Sequence, residues 1–198
     1  MPRIPTPENC HAKMRIVFAI TGASGIELAK GVLKNIRETP GLEIHLILSQ
    51  NAQATIAAEG QNTEELRALG HFIHEPGNMG AQPASGSWLH NGMIICPCSM
   101  ASLAAIACGF GSNLVHRSAD VALKERRPLI LVTRESPLSL IHLRNMLAVT
   151  EAGATIMPFS PAFYTGDNSL TSGCRQFAGR ILDLLRIHST LCARWNGL

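Results

Sequence analysis

The 198-residue sequence has few aromatic and few charged residues, which make up 5% and 16% of the chain. A single tyrosine, Tyr164, and two tryptophans leave few of the stacking side chains that nucleic-acid surfaces use. The formal charge of only +3 excludes a strongly basic arm, and the apolar share of 46% excludes a disordered chain. We therefore expect a compact globule that buries one core and has no nucleic-acid partner.

Long apolar runs are also missing. No run approaches the roughly 18 to 20 consecutive apolar residues that span a bilayer, and residues 1–13 are polar with three prolines. We therefore expect no membrane association and a cytoplasmic location.

The six cysteines lack the second pair or the histidine spacing of a zinc site. Free, buried thiols and no metal site are expected for Cys10, Cys96, Cys98, Cys108, Cys174 and Cys192.

Short apolar segments alternate with helical patterns along the chain, which indicates a parallel sheet covered on both faces. We predict a single doubly wound α/β domain with a Rossmann-like (flavodoxin-like) sheet at 14–187. A flexible N-terminal extension at 1–13 precedes it, and a C-terminal tail at 188–198 follows it. The predicted strands are 16–20, 44–48, 93–96, 129–133 and 154–157, and the predicted helices are 26–37, 52–58, 63–69, 99–107, 113–126, 138–150 and 170–187.

The first predicted strand ends in a glycine-containing turn, Thr21-Gly-Ala-Ser-Gly25. Ligands of doubly wound sheets bind beyond the carboxyl ends of the strands, and glycines there let the backbone approach a phosphate. The turn is a weak signal alone, because glycine also serves ordinary turns. The G-x-G-x-x-G pattern, the Gly-Lys-Ser/Thr P-loop and the lysine that a short-chain dehydrogenase has four residues after its tyrosine are all missing, which disfavours nicotinamide and nucleoside triphosphates.

Polar residues near predicted helix ends are candidates for ligand contact or proton transfer. Glu59 lies in the last turn of a helix, where the macrodipole raises the pKa of a carboxyl group, so it is a candidate proton donor. A solvated glutamate is the simpler alternative. Ser99 follows a strand and caps the next helix, with or without a ligand contact. The small residues at 83–87 suit a phosphate or a flavin edge, or form an ordinary loop.

Four cations lie on one predicted helix and at its end. Arg117 and Lys124 are seven residues apart on one face, about 10 Å along the helix axis. Arg126 and Arg127 suit the negative end of the helix dipole and are expected in solvent.

Further charged and aromatic residues follow the last strands. Arg134 and Glu135 directly follow a buried strand, where a charged pair is hard to explain as core. The pair is either a structural ion pair or part of an anion site, and the cations of the preceding helix favour the anion site. Arg180 lies at the margin of the apolar stripe of the last helix, which predicts that it is held against protein. Tyr164 follows the last predicted strand, so it also lies at the carboxyl end of the sheet, where it either contacts a ligand or only packs against protein. The predicted phosphate clamp has enough cations for two phosphorylated ligands, and it consists of Arg117, Lys124, Arg134, Arg180 and Tyr164.

A succession of motifs resembles the UbiX-like flavin prenyltransferases, the UbiX/Pad-type flavoproteins. The similarity runs from Arg15 to about Ile187; each motif is weak alone, but their order is specific. The motifs are Thr21-Gly-Ala-Ser-Gly25, Pro83-Ala-Ser-Gly-Ser87, Cys96-Pro-Cys-Ser99, Ala119-Asp-Val-Ala-Leu-Lys-Glu-Arg-Arg127, Arg134-Glu-x-Pro-Leu138, Ile141-His-Leu-x-Asn-Met146 and Pro161-x-Phe-Tyr164.

The resemblance implies a metal-independent transferase that joins a dimethylallyl group from dimethylallyl monophosphate to N5 and C6 of reduced FMN. The prenylated FMN would pass to a UbiD-like decarboxylase. Because family sites form between subunits, we expect a homo-oligomer, built from trimers and reaching up to a dodecamer. Lysine and arginine must stabilise the leaving phosphate, which favours a monophosphate, since the aspartates are isolated and form no magnesium motif: Asp120, Asp167 and Asp183.

The resemblance also implies roles for individual residues. Catalysis and proton handling fall to Ser24, Glu59, Lys124 and Glu135. FMN is expected to contact Gly22, Ala23, Ser24, Ser49, Ser99, Met100 and Arg117. The dimethylallyl phosphate is expected to contact Met79, Ser85, Gly86, Arg117, Lys124, Arg134, Glu135, Tyr164 and Arg180.

Two positions depart from the family pattern. Met79 stands where the family often has a tryptophan on the prenyl chain; methionine still suits an apolar pocket, and Trp88 is a candidate replacement. Arg144 replaces a glutamate, a change expected to alter a subunit contact. Met79 keeps open a non-catalytic FMN-binding partner subunit of a decarboxylase. A flavin-dependent cysteine decarboxylase is the other alternative, although its Pro-x-Met-Asn-x-x-Met-Trp type segment is missing.

Overall fold

The computed structural model describes residues 14–195 and 197, so the predicted extension at 1–13 lies outside the described residues. Within them the chain forms a six-stranded sheet. The strands are β1 (Met14–Ile20), β2 (Leu42–Leu48), β3 (Phe72–His74), β4 (Gly92–Cys98), β5 (Leu129–Thr133) and β6 (Thr155–Ile156).

Helices connect and cover the strands, and most begin at a side-chain cap that accepts a backbone N–H. Ser49, Asn62, Ser99, Asn113 and Ser169 each serve in this way. The helices are α1 (Ile26–Arg37), α2 (Gln50–Ala58), α3 (Thr63–Arg67), α4 (Met100–Ala107), α5 (Leu114–Lys124), α6 (Leu140–Glu151) and α7 (Leu170–Leu184), with 3-10 turns at Gln82–Ala84 and Phe163–Thr165.

The strands run parallel in the order β3-β2-β1-β4-β5-β6. This order confirms the predicted doubly wound α/β fold in one domain. The chain winds outward in one direction from β1 and in the other direction from β4. The switch point therefore lies between β1 and β4, and their carboxyl ends form the crevice where such folds bind ligands.

The edge strand β3 is missing from the sequence prediction. It has only three residues, pairs with β2 from His45↔Phe72 to Ile47↔His74, and leaves Phe72 48% exposed. A segment this short, with polar neighbours and partial burial, lacks the apolar run that identifies the other strands. Its place is set by pairing with β2 rather than by its own sequence.

The core has one layer on each face of the sheet. Ile16, Phe18 and Ile20 of β1 are fully buried in the layer that includes α1 and α7. Val17 and Ala19 point to the opposite layer, which includes α4 and α5. Burial on both faces explains why β1 is apolar without alternation.

The C-terminal segment packs against α7. The helix ends at Leu184, three residues before the predicted end, and Arg186 adopts a left-handed backbone with φ of 58°. A Cβ added to Gly179 would lie 2.7 Å from Cys192 N, so this glycine allows the returning chain to approach the helix closely. Residues 188–195, predicted as a tail, thereby run along α7, where Arg194 pairs with Asp183, and Trp195 reaches Tyr164.

The thiol prediction is confirmed at four positions and wrong at one. Cys96, Cys98, Cys174 and Cys192 are buried and free, and burial raises the pKa of Cys174 to about 11. Cys108 is exposed, because it lies at the end of α4, on the solvent side. Cys10 lies outside the described residues. Among the described helices, none combines the length and apolar character needed to cross a bilayer.

Candidate functional site

The carboxyl ends of β1 and β4 are joined by one buried threonine. The Thr21 hydroxyl donates a hydrogen bond to Pro97 O at 2.7 Å and accepts one from Ser99 N at 2.8 Å. Thr21 is only 1% exposed, so these bonds form away from water. They hold the turn at 21–25 beside the start of α4 and fix the shape of the crevice. Thr21 is absent from the predicted site residues, although a hydroxyl directly after a buried strand is a signal for such a bridge.

Replacing Thr21 with valine is expected to lower the free energy of unfolding by about 2 kcal/mol. The shape of the side chain is nearly kept, but Ser99 N loses its buried acceptor and Pro97 O retains only the 3.2 Å bond from Thr21 N. Chemical denaturation measures the difference.

Thr150→Val is the matched control, because Thr150 is exposed and donates only to Met146 O of its own helix. We expect a change within about 0.5 kcal/mol for this variant. Equal losses in the two valine variants would contradict the bridging role of Thr21.

Two serine-capped helix N-termini flank the turn. Ser49 Oγ accepts from Ala52 N at 3.2 Å at the start of α2, and Ser99 Oγ accepts from Ser102 N at 3.2 Å at the start of α4. The predicted capping role of Ser99 is therefore confirmed. Helix N-termini present N–H groups and partial positive charge, so the crevice attracts phosphate or carbonyl oxygens of a ligand.

Gly22 brings the turn against α2. A Cβ at this position would lie 2.8 Å from the Cβ of Asn51, closer than such atoms approach. Ala23 is half-buried beside it, Ser24 is exposed, and Met100 is half-buried at the start of α4. The structure therefore places Gly22, Ala23, Ser24, Ser49, Ser99 and Met100 around one crevice, as the sequence predicts.

Glu59 follows α2, and its carboxylate binds the N-terminus of α1. Its Oε1 accepts from Gly25 N at 2.7 Å and its Oε2 accepts from Ile26 N at 2.8 Å. Burial by itself would raise the pKa of this carboxyl, but hydrogen bonds from Gly25, Ser24 and Ile26 outweigh burial and lower the pKa of Glu59 below its ordinary value of 4.5.

The predicted raised pKa of Glu59 is therefore wrong. The prediction considered only the negative end of its own helix, whereas the folded chain places the positive end of α1 against the carboxylate. Gly25 allows this contact with its left-handed φ of 115°. Glu59 is thus an ionised acceptor that braces the turn, and it is connected to the Ser24 side chain.

A second group of predicted residues lies along α5. The Arg117 guanidinium donates from Nε to Ala84 O at 3.2 Å and pairs with Asp120 at 2.6 Å. A Cβ added to Gly86 would lie 2.6 Å from Lys124 Nζ, so the 83–87 loop passes directly over this lysine. Lys124 also pairs with the neighbouring Glu125.

Arg127 anchors the same loop and corrects a prediction. Its guanidinium donates to Gly86 O at 2.6 Å and to Trp88 O at 2.8 Å, and its side chain is only 12% exposed. The expected solvated arginine is instead a buried support for the backbone at Ser85 and Gly86. Helix position alone misses this role, because the acceptors come from a loop about 40 residues earlier in the chain.

A third group surrounds a cavity of about 370 Å³ beyond β6. Tyr164, Gln176 and Arg180 are among its lining residues. Gln176 Nε2 donates to the Tyr164 hydroxyl at 3.2 Å, which leaves the phenolic proton free to be donated to a ligand. Gln176, which holds the Tyr164 hydroxyl, is absent from the sequence prediction.

Arg180 is not shielded from water by protein, contrary to the prediction. Its side chain is 55% exposed and donates to Asp183 Oδ2 at 2.9 Å. A position at the margin of the helix stripe therefore faces the cavity and solvent. Arg134 and Glu135 are likewise exposed after β5, and Glu135 accepts from Ser136 N at 3.0 Å.

The predicted clamp is not complete within one chain. α5 ends at Lys124 beside the start of β5, whereas Arg134 follows the end of the same strand. The five residues of β5 span about 17 Å, so Lys124 lies near the amino-terminal ends of the strands and Arg134 near their carboxyl ends. Lys124, Ser85 and Gly86 therefore form one half of the predicted clamp, and Arg134, Tyr164 and Arg180 form the other.

Trp88 stays a candidate replacement for the missing family tryptophan. Its ring contacts His45 and His90 and lies 6.0 Å from the Arg15 guanidinium, near the start of β1. It therefore lies near the amino-terminal ends of the strands, whereas the crevice lies at their carboxyl ends. Met79 is 45% exposed in the segment before the 83–87 loop.

Comparison with known proteins identifies the family. The Flavoprotein family model matches residues 5–184. The chain is 43% identical to the flavin prenyltransferase UbiX of Thauera aromatica over 185 residues, which cover 93% of this chain and 95% of that relative. It is 46% identical to the mitochondrial flavin prenyltransferase of Saccharomyces cerevisiae over 185 residues, which cover 93% of this chain and 76% of that relative. The chain belongs to the UbiX-like flavin prenyltransferases.

Solved structures agree with this UbiX-like assignment. AnUbiX in complex with FMN and dimethylallyl pyrophosphate superposes with a TM-score of 0.88 at 48% identity, covering 94% of this chain and 99% of that one. A dodecameric FMN-dependent UbiX-like decarboxylase from Escherichia coli O157:H7 superposes with a TM-score of 0.87 at 40% identity, covering 93% and 100%. The peptidyl-cysteine decarboxylase EpiD, at 12% identity and a TM-score of 0.61, shares the fold alone.

Proposed function

We propose that this protein is a flavin prenyltransferase that joins a dimethylallyl group from dimethylallyl monophosphate to reduced FMN. The observation that carries the proposal is the crevice between β1 and β4 of this UbiX-like chain. There a glycine turn braced by an ionised carboxylate lies between two serine-capped helix N-termini. This arrangement suits a ligand with a phosphate and several carbonyl oxygens.

The residues of the crevice fit FMN. Glycine at position 22 lets the turn approach Asn51 of α2, and the Ser49 hydroxyl, which accepts from Ala52 N, keeps its own proton for a ligand. In our proposal Gly22, Ala23, Ser24, Ser49, Ser99, Met100 and Arg117 hold the cofactor. Bound reduced FMN supplies N5 and C6, the two atoms to which the dimethylallyl group is joined.

Ser24 and Glu59 handle the proton in this proposal. The Ser24 side chain is hydrogen-bonded to Glu59, whose pKa is lowered by that bond together with the two backbone N–H bonds. An ionised carboxylate accepts protons rather than donating them. Glu59 therefore receives, through the Ser24 hydroxyl, the proton that leaves N5.

Cations and hydroxyls stabilise the leaving phosphate. Lys124, Arg134, Arg180 and Arg117 bring positive charge, and Tyr164 offers its free phenolic proton. Arg127 holds the backbone at Ser85 and Gly86, which contacts the phosphate oxygens in this proposal. Glu135 directly follows Arg134 and contacts the same phosphate in this proposal. Met79 contacts the prenyl chain. Donors placed where charge develops stabilise the transition state, so a monophosphate needs no magnesium motif.

The complete clamp requires two copies of the chain in this proposal. One copy contributes the half with Lys124, and its neighbour contributes the half with Arg134. An exposed apolar face on α6 supplies a surface that needs a partner: Leu140, Ile141, Leu143 and Leu147. We therefore propose a homo-oligomer built from trimers, reaching up to a dodecamer.

Release of inorganic phosphate from dimethylallyl monophosphate tests the proposal. Release is expected with reduced FMN, not with oxidised FMN, and unchanged by a metal chelator. Met79 favours a second candidate, a non-catalytic FMN-binding subunit, which would bind FMN without releasing phosphate. Release of carbon dioxide from a cysteine-ended peptide, without phosphate release, would instead support the cysteine decarboxylase.

The wider setting belongs to the same proposal. We propose that 14–187 is the FMN-binding domain and that a UbiD-like decarboxylase receives the prenylated FMN. We also propose a cytoplasmic location, which microscopy of the tagged full chain distinguishes from the mitochondrial location that the yeast relative's name gives.

A further inference from the structure

Asp183 is shared by two arginines of different origin. Arg180 lies one helical turn before it on α7 and donates a single bond to Oδ2 at 2.9 Å. Arg194 comes from the C-terminal segment and binds both oxygens, at 2.6 Å to Oδ2 and 2.8 Å to Oδ1. Arg180 is a proposed phosphate ligand, so the way in which the two arginines share the Asp183 carboxylate affects the proposed site.

The two arginines do not bind Asp183 equally. The Arg194 guanidinium makes a two-pronged pair, whereas Arg180 shares Oδ2 with one prong of Arg194. The hydrogen bond from Arg194 is the largest cause of the lowered pKa of Asp183, ahead of either contribution from Arg180. Arg194 is therefore the principal partner of the carboxylate.

The C-terminal segment is fixed at two further places near the same cavity. Cys192 packs on Gly179 of α7, and the Trp195 ring meets the Tyr164 ring edge-on at 5.3 Å. Arg194 is thereby held between a contact on the helix and a contact on a second proposed phosphate ligand. Tyr164 and Arg180 line one cavity; the segment contacts Tyr164 directly and is linked to Arg180 through Asp183.

We infer that Arg194 is a positioning residue for Arg180: by occupying both oxygens of Asp183, it weakens the Asp183–Arg180 pair and leaves the Arg180 guanidinium available to a substrate phosphate. This inference rests on the proposed function for the identity of the phosphate. Without Arg194, Asp183 is free to form the two-pronged pair with Arg180 and withdraw it from the cavity. Donor binding then depends on the C-terminal segment, whereas FMN binding does not.

The test compares five variants of the full chain loaded with oxidised FMN, which permits binding without turnover. Calorimetry measures the Kd of dimethylallyl monophosphate, and fluorescence titration measures the Kd of FMN. Arg194→Ala is expected to weaken donor binding about tenfold and to leave FMN binding unchanged. Arg194→Lys is expected to weaken it similarly, because lysine cannot bind both oxygens in one plane. Arg175→Ala, an exposed arginine on the same helix, is the control and should equal the wild type.

Removing the carboxylate distinguishes positioning from general damage. Asp183→Asn and Arg194→Ala/Asp183→Asn are both expected to bind the donor within about threefold of the wild type, because Arg180 is no longer captured. Donor binding unchanged in Arg194→Ala, or as weak in the double variant as in the single one, would overturn the inference. If Arg194→Ala does not fold, Arg194→Lys with and without Asp183→Asn gives the same comparison.

The outcome is separable from that of the proposed function. A wild-type protein that binds the donor, weakens tenfold in Arg194→Ala and yet forms no product would refute only the proposed function. Product formation with equal KM in the wild type and Arg194→Ala would refute only the positioning role.

Discussion

Lys124→Ala and Arg134→Ala are each expected to lower kcat/KM for dimethylallyl monophosphate by about 100-fold to 1,000-fold. Each variant removes one cation from the clamp proposed to stabilise the leaving phosphate. Binding of FMN should change little, because neither residue is among those proposed to hold it. Arg175→Ala is the matched control, an exposed cation on α7 outside the proposed clamp, and we expect it to keep wild-type turnover.

Mixing the two inactive variants gives the sharper result. Lys124 and Arg134 lie at opposite ends of the strands of one sheet. In our proposal a complete clamp therefore takes the two residues from different copies. After mixed refolding at equal amounts, roughly a quarter of the sites should contain both intact residues, and activity should return to that level. Activity that stays at the level of the single variants would contradict a site shared between copies.

Glu59→Gln is expected to lower turnover about 100-fold and the free energy of unfolding by about 2 kcal/mol. Glutamine cannot accept a proton, and its amide leaves either Gly25 N or Ile26 N without its charged acceptor. Glu64→Gln, at a side chain that is 82% exposed, is the control for the loss of one charge. Turnover of Glu59→Gln equal to that of the control would remove Glu59 from the mechanism.

The stability difference between the wild type and Glu59→Gln should depend on pH in one direction. Because the folded state lowers the pKa of Glu59 below 4.5, its contribution is fully present above 4.5 and disappears as the pH falls through the folded-state value. The two proteins should therefore converge in stability at acidic pH. A difference that widened on acidification would indicate a raised pKa and a resting proton donor.

The fold was predictable because its strands are short and apolar throughout. β1 and β5 are buried on both faces, and such short runs of apolar residues between helical patterns indicate a parallel sheet that is covered on both faces. The edge strand β3 was not predictable, since its three residues form a strand only through their pairing with β2. Local pattern therefore specifies the central strands, and tertiary pairing specifies the edge.

The crevice residues were predictable from strand ends, but their electrostatics were not. Glu59 shows why: the helix to which it belongs predicts a raised pKa, and the helix that it touches lowers it. Arg127 gives the same lesson, because its acceptors at Gly86 and Trp88 are contributed by a distant loop. Contacts made across the fold decide the charge state and burial of a side chain, and sequence spacing does not report them.

We propose above all that the protein transfers a dimethylallyl group to reduced FMN. The most direct measurement is the mass of the flavin extracted after anaerobic incubation of the purified full chain with reduced FMN and dimethylallyl monophosphate. We expect FMN heavier by one dimethylallyl unit from the wild type and the Arg175→Ala control, and a much smaller amount of it from Lys124→Ala. Unmodified FMN, recovered from a protein that binds both ligands, would contradict it.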